Sequence, residues 1–132
     1  TETTCAGCIQ HADDPRNGIV GCPLSCVEMQ VVSCPDVKDR TGNAYMATDT
    51  KHFGSACSGR GEVWIRGTSV SSGYYQMPDK TAETIIDGWL HTGDIGYIDS
   101  RGYVFIKDRK INPGSWIFID GVQPLSDNFL QN

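Results

Sequence analysis

Several residues in this sequence are of a type and spacing that could do chemistry. CAGC at Cys5–Cys8 and CPLSC at Cys22–Cys26 set a C-x2-C ahead of a C-x3-C. Four thiolates from two such knuckles can surround a zinc ion tetrahedrally, with Gly7 and Gly21 easing the turns. The competing reading is that these thiols, like Cys34 and Cys57 outside the pattern, fill a core as small hydrophobes. Thr1 offers a terminal hydroxyl that its own amine could activate, but no strand-like run follows to hold that geometry. The stretch DGWLHTGDIG, Asp87–Gly96, is too polar and too rich in glycine for a core strand. Within it, Asp94 follows a Thr-Gly step. A carboxylate there can accept hydrogen bonds from two vicinal hydroxyls, as on a ribose, or it can cap its own turn. His91 has no partner in the pattern and reads as structural or solvent-facing, while Trp89 packs the stretch. Asp108-Arg109 closes YVFIKDR and is either a surface pair or a hinge beside a donor for hydroxyl groups.

The elements that must position these residues are mostly strands. Val27–Val32 (VEMQVV) alternates well enough for a strand, and EVWIRG from Glu62 puts Val63 and Ile65 on one face with Trp64 and Arg66 on the other. Pro78 suits a first helical position and Asp79 a first turn, so MPDKTAETI predicts a short helix. YID and YVFI flank Ser100-Arg101-Gly102, with Asp99 at the corner, and that is a hairpin signature. Residues 1–18 read as loop or turn, Cys34–Gly42 is rich in turn residues, and the segment through Gly61 has no clear period. The expected class is mainly β with short helices (α+β).

Bulk properties narrow the function. The 132 residues are 39% hydrophobic and carry a formal net charge of −5, enough chain for one domain with a core. The only basic group, Lys107, Arg109 and Lys110, is too small to track phosphates along a nucleic acid, so no nucleic-acid partner is expected. The longest apolar run is four residues, Trp116–Ile119. The first residues lack the basic and apolar regions of a secretion signal, and there is no glycosylation sequon, so reduced thiols and an intracellular home are expected. The lack of a starting Met reads as a piece cut from a longer protein.

Several motifs in unbroken order then give the sequence a family likeness. GEVWIRGTSVSSGYYQMPDKTAETIIDGWLHTGDIGYIDSRGYVFIKDRK resembles the AMP-forming acyl-CoA synthetase (adenylate-forming) superfamily, and the opening TETTCAGC resembles its Thr-Glu motif. The Cys-rich stretch after Thr-Glu and KTAET beside DGWLHTGDIG are most similar to eukaryotic long-chain fatty acyl-CoA synthetases. The resemblance covers residues 1–110. It implies a distorted β-barrel subdomain from the C-terminal part of the large N-terminal, AMP-binding domain. It implies ATP, Mg2+ and CoA as cofactors and co-substrates, and a long-chain fatty acid as substrate. Matched residue by residue, Glu2 is the Mg2+-binding carboxylate and Thr1 the hydroxyl at the α-phosphate. Asp94 binds the ribose hydroxyls, Arg109 also contacts the ribose, and Asp108 is the hinge of a C-terminal lid. Residues 111–132 depart from the family and read as a divergent or non-native tail where that lid should begin. The family's phosphate loop and lid lysine have no counterpart here. The expectation is thus a ligase fragment, inactive alone, whose parent sits at the cytoplasmic face of a membrane of the endoplasmic reticulum, mitochondrion or peroxisome. Another adenylate-forming ligase, or a non-catalytic zinc module built on the cysteines, are the alternatives.

Overall fold

The computed structural model describes residues 1–110, so the tail expected at 111–132 lies outside the described residues. In chain order the elements are β1 (Cys8–Ile9), β2 (Ile19–Pro23), β3 (Val27–Val32), β4 (Cys34–Lys38), β5 (Ala44–Tyr45), β6 (Lys51–His52), β7 (Ser55–Gly67), α1 (Pro78–Thr84), β8 (Ile85–Ile86), β9 (Trp89–Asp99) and β10 (Val104–Arg109). Antiparallel pairing runs β1-β2-β10-β9-β7-β3, with β6 added to β7 and β8 to β9, and β4-β5 form a separate ribbon. Among the described residues the sheet curls into a partial barrel, mostly β with one short helix, as the sequence predicts. Among the described residues no helix is long and apolar enough to cross a membrane.

Regular alternation made strands where it occurs. Val63 and Ile65 on β7 pack with Val27 and Val104 in one core cluster. Ile95 joins Cys34, Val37 and Tyr45 in a second. Glu62 stands next to Val63 on β7 and opposite Ile95 in register, so the two clusters lie on opposite faces of the sheet. Burying each such aliphatic side chain stabilises the fold by about 1.5–3 kcal/mol.

The expected helix forms with Pro78 in its first turn and no buried residue. The expected hairpin forms too. The Asp99 carboxylate accepts the N–H groups of Arg101 (2.9 Å) and Tyr103 (3.0 Å), and Gly102 takes φ +88° at the corner.

Two expectations need correction. The turn-rich segment after Cys34 contains β4, and β7 begins at Ser55 rather than Glu62. What organises this region is charge, which alternation does not reveal. Arg60 on β7 is buried and bonds the Asp39 carboxylate (2.8 Å), the Asp49 carboxylate (2.6 Å) and the Ala44 carbonyl (2.9 Å), tying the β4-β5 ribbon to the main sheet. The second correction is larger. DGWLHTGDIG, too polar and glycine-rich by composition for a core strand, is from Trp89 onward part of β9, between β7 and β10 near the middle of the sheet. Gly96 is there because its strand partner comes too close: a Cβ would lie 2.1 Å from the Phe105 carbonyl oxygen.

Candidate functional site

The Thr-Gly-Asp step is a bulge in β9. Trp64 pairs with His91 and Glu62 with Ile95, so Thr92, Gly93 and Asp94 together face the single residue Val63. Side chains replace the lost ladder bonds. The Thr92 hydroxyl donates to the Val63 carbonyl (2.6 Å) and accepts the Asp94 N–H (3.0 Å). Gly93 takes φ +72°, which suits glycine, and its N–H donates to a Glu62 carboxylate oxygen (3.1 Å). A second bulge, at Lys107 on β10, leaves Asp94 directly across from Arg109. The two bulges re-aim Asp94 and Arg109 so that the guanidinium meets the carboxylate at 2.9 Å.

Beside this pair is an open polar cavity of about 210 Å³, whose lining includes Thr1, Glu2, Tyr74, His91, Asp94 and Arg109. Thr1 and Glu2 thus share one cavity with Asp94 and Arg109, which lie far along the chain. Burial pushes the Asp94 carboxyl above its ordinary value, and the Arg109 charge offsets this only in part. Glu2 is shifted the other way. The Tyr74 hydroxyl donates to one Glu2 oxygen (2.8 Å), and that bond holds the carboxyl below its usual range. The Glu2 main chain is fastened as well, because its carbonyl accepts the Ser71 N–H (2.7 Å). Asp108 does not line the cavity. One of its oxygens accepts the Arg109 N–H (2.7 Å), and the other is buried with no hydrogen-bond partner among the described residues.

The other sequence candidates fare differently. The zinc reading is not supported: among the described residues no three His, Cys, Asp or Glu side chains converge as a metal group, and all six cysteines are free thiols. Cys5 and Cys26 are exposed. Cys8 contacts the Met29 sulfur (3.3 Å), and burial, with the nearby Cys22, pushes its thiol up to about 11. These are properties of packing cysteines. His91 is not solvent-facing. It stacks on Trp64 at 3.7 Å between ring centroids and lines the cavity. Trp89 packs under the Arg66 guanidinium, as expected of a structural aromatic. Sequence reasoning missed Tyr74 and Glu62. For Tyr74 the available signal was the preceding glycine: Gly73 lies so close to Thr81 that a Cβ there would meet the threonine side chain at 2.4 Å. The Tyr74 N–H in turn donates to the Thr81 hydroxyl (2.9 Å), which fixes where the tyrosine starts.

The fold places the chain in a class: ATP-bound MatB from Rhodopseudomonas palustris, an adenylate-forming enzyme, superimposes with a TM-score of 0.52 at 33% identity over 74% of this chain and 17% of that one. No family model matches the chain. Two curated relatives are fatty acyl-CoA synthetase A of Dictyostelium discoideum, 41% identical over 79% of this chain, and long chain acyl-CoA synthetase 4 of Arabidopsis thaliana, 33% identical over 91%. The chain belongs to the AMP-forming acyl-CoA synthetase superfamily. It spans 14% and 17% of the length of those two relatives.

Proposed function

We propose that the chain forms the nucleotide-facing part of an ATP-dependent ligase that joins a long-chain fatty acid to CoA. The observation that carries this reading is the meeting of Glu2, Asp94 and Arg109 at one polar cavity. In such a reaction a carboxylate oxygen of the acid attacks the α-phosphorus of ATP. Pyrophosphate leaves with the electron pair of the broken P–O bond. The CoA sulfur then attacks the acyl carbon of the mixed anhydride, and AMP leaves. Adenylation is needed because a free carboxylate has only oxide to expel.

Each residue has a part that its surroundings support. Asp94 offers two carboxylate oxygens to the two ribose hydroxyls, and Arg109, already against one of them, donates from the same side. Thr1 lies on the same cavity and supplies a hydroxyl at the α-phosphate. Asp108, in the strand end beside Arg109, is the point about which a lid turns between the two half-reactions.

The donor set fits magnesium. Glu2 keeps its charge through Tyr74, and its carboxylate oxygens, hard donors of the kind magnesium prefers, would hold the ion. When bound, the ion neutralises phosphate charge. A long acyl chain partitions into bilayers, so association with the cytoplasmic face of an intracellular membrane belongs to the same proposal.

The test is exchange of radiolabelled pyrophosphate into ATP by the full-length protein, offered fatty acids of graded length. Exchange that requires the acid, rises with chain length and is lost in Asp94→Ala supports the reading. Exchange with no dependence on a carboxylic acid removes it, and dependence on short or aromatic acids replaces only the choice of substrate.

A further inference from the structure

Glu62 is a buried acid in the longest strand of the sheet, 7% exposed, and its carboxylate has no side-chain partner on the facing residue Ile95. Placing an acid there costs desolvation that an aliphatic residue would avoid. Its two oxygens reach one backbone N–H and one side chain instead. One accepts the Gly93 N–H at 3.1 Å, and the other meets the Lys110 ammonium at 3.3 Å. Gly93 and Lys110 also bond each other, since the Lys110 N–H donates to the Gly93 carbonyl. Gly93 immediately precedes Asp94, and Lys110 immediately follows Arg109, its register partner. One carboxylate therefore holds the outer neighbours of both members of the pair.

We infer that Glu62 is a positioning residue for ribose recognition: it fixes the Gly93 bulge and the end of β10 so that Asp94 and Arg109 present their polar atoms together. Without it, the Gly93 N–H loses its acceptor, the bulge relaxes, and the Asp94 carboxylate no longer has a single direction. The effect is expected at the ribose because the hydrogen bonds of the Glu62 carboxylate go to the neighbours of Asp94 and Arg109, Gly93 and Lys110. Glu62→Gln keeps an oxygen for the Gly93 N–H, whereas Glu62→Ala keeps nothing.

This inference rests on Asp94 binding ribose, and its test separates the two ideas. Binding of AMP and of 2′,3′-dideoxy-AMP to the full-length protein is measured by calorimetry for the wild type and for Glu62→Ala, Glu62→Gln and Lys110→Met. The wild type is expected to favour AMP by at least about tenfold. Glu62→Ala is expected to lose most of that preference, with binding of the dideoxy nucleotide unchanged within about twofold, and Glu62→Gln to keep most of it. Lys110→Met, at a half-exposed site that tolerates the change, is expected to cut the preference about threefold. It decides the matter if Glu62→Ala does not fold, because an unchanged preference in Lys110→Met then overturns the inference. A wild type that binds both nucleotides equally removes the ribose reading itself. A wild-type preference that Glu62→Ala retains, or equal losses for the two nucleotides, overturns the role of Glu62 alone.

Discussion

Replacing Asp94 by asparagine is expected to weaken AMP binding while leaving the fold as stable as before or more so. Burial raises the Asp94 pKa above the ordinary 3.8, so the charged form is disfavoured where it stands. Among the described residues its ionic partner is Arg109, whose side chain is 71% exposed, and an ion pair so open to water contributes less than about 1 kcal/mol. Removing the charge therefore takes little from the folded state. Binding is another matter. Asparagine accepts one hydroxyl well but not two, so one charge-assisted hydrogen bond is lost, worth about 1.5–3 kcal/mol. The side chain is 26% exposed, which points to the lower half of that range and a rise in Kd of about ten- to fortyfold. Calorimetric titration with AMP reads the affinity, and thermal unfolding across a pH series reads the stability. The sign of the pH effect follows from the raised pKa. Below 3.8 Asp94 is protonated both folded and unfolded. As the pH rises from there the unfolded chain ionises first, so the wild type loses stability relative to Asp94→Asn until the folded group ionises too. A variant that binds AMP as the wild type does, or one whose Tm falls by many degrees at neutral pH, refutes the reasoning.

Other perturbations test the scaffold. Gly96→Ala forces a Cβ to within 2.1 Å of the Phe105 carbonyl and is expected to cost about 3 kcal/mol in denaturant unfolding. Gly93→Ala meets nothing nearer than 3.9 Å and carries only the strain of its positive φ, about 1 kcal/mol, so the two glycines are expected to rank in that order. Arg60→Met leaves Asp39 buried without its cation and is expected to destabilise the fold by about 3–5 kcal/mol. Asp39 also governs acid stability. Burial opposes its charge, but the Thr41 hydroxyl, the Arg60 guanidinium and two backbone N–H groups outweigh that and hold the carboxyl well below its usual range. The stability it contributes is present above 3.8 and lost as pH falls below it, so a wild-type Tm that drops steeply in that acid range, and less so in Asp39→Asn, is the expected outcome.

What the sequence disclosed, and what it hid, follow from the forces at each place. β3, the second half of β7, α1 and the Asp99 hairpin were legible because alternation, Pro78 and turn chemistry are local signals. The first part of β9, up to Gly96, was not legible, because three residues of its bulge stand where one would keep the alternation, and Thr92 and Glu62 make up the missing bonds. The long reach of β7 toward Ser55 was hidden for a related reason. Arg60 and the aspartates it joins are far apart in sequence and leave no periodic trace. At the site, Thr1, Glu2, Asp94 and Arg109 were named through the order of motifs, and the cavity brings them together. Tyr74 and His91 line it too, yet neither gives a spacing signal, since their places depend on a loop packed against α1 and on a cross-strand stack with Trp64. The zinc reading is not supported because β1 and β2 bring Cys8 near Cys22 while Cys5 and Cys26 are exposed, and no three metal-ligating side chains converge among the described residues.

The central claim is that Asp94 receives a ribose. A crystal structure of the full-length protein with AMP tests it most directly. The account predicts both ribose hydroxyls within about 2.5–3.0 Å of the Asp94 carboxylate, with Arg109 donating from the same side. AMP bound with its ribose away from Asp94, or bound outside the cavity that Thr1, Glu2 and Asp94 share, would contradict it.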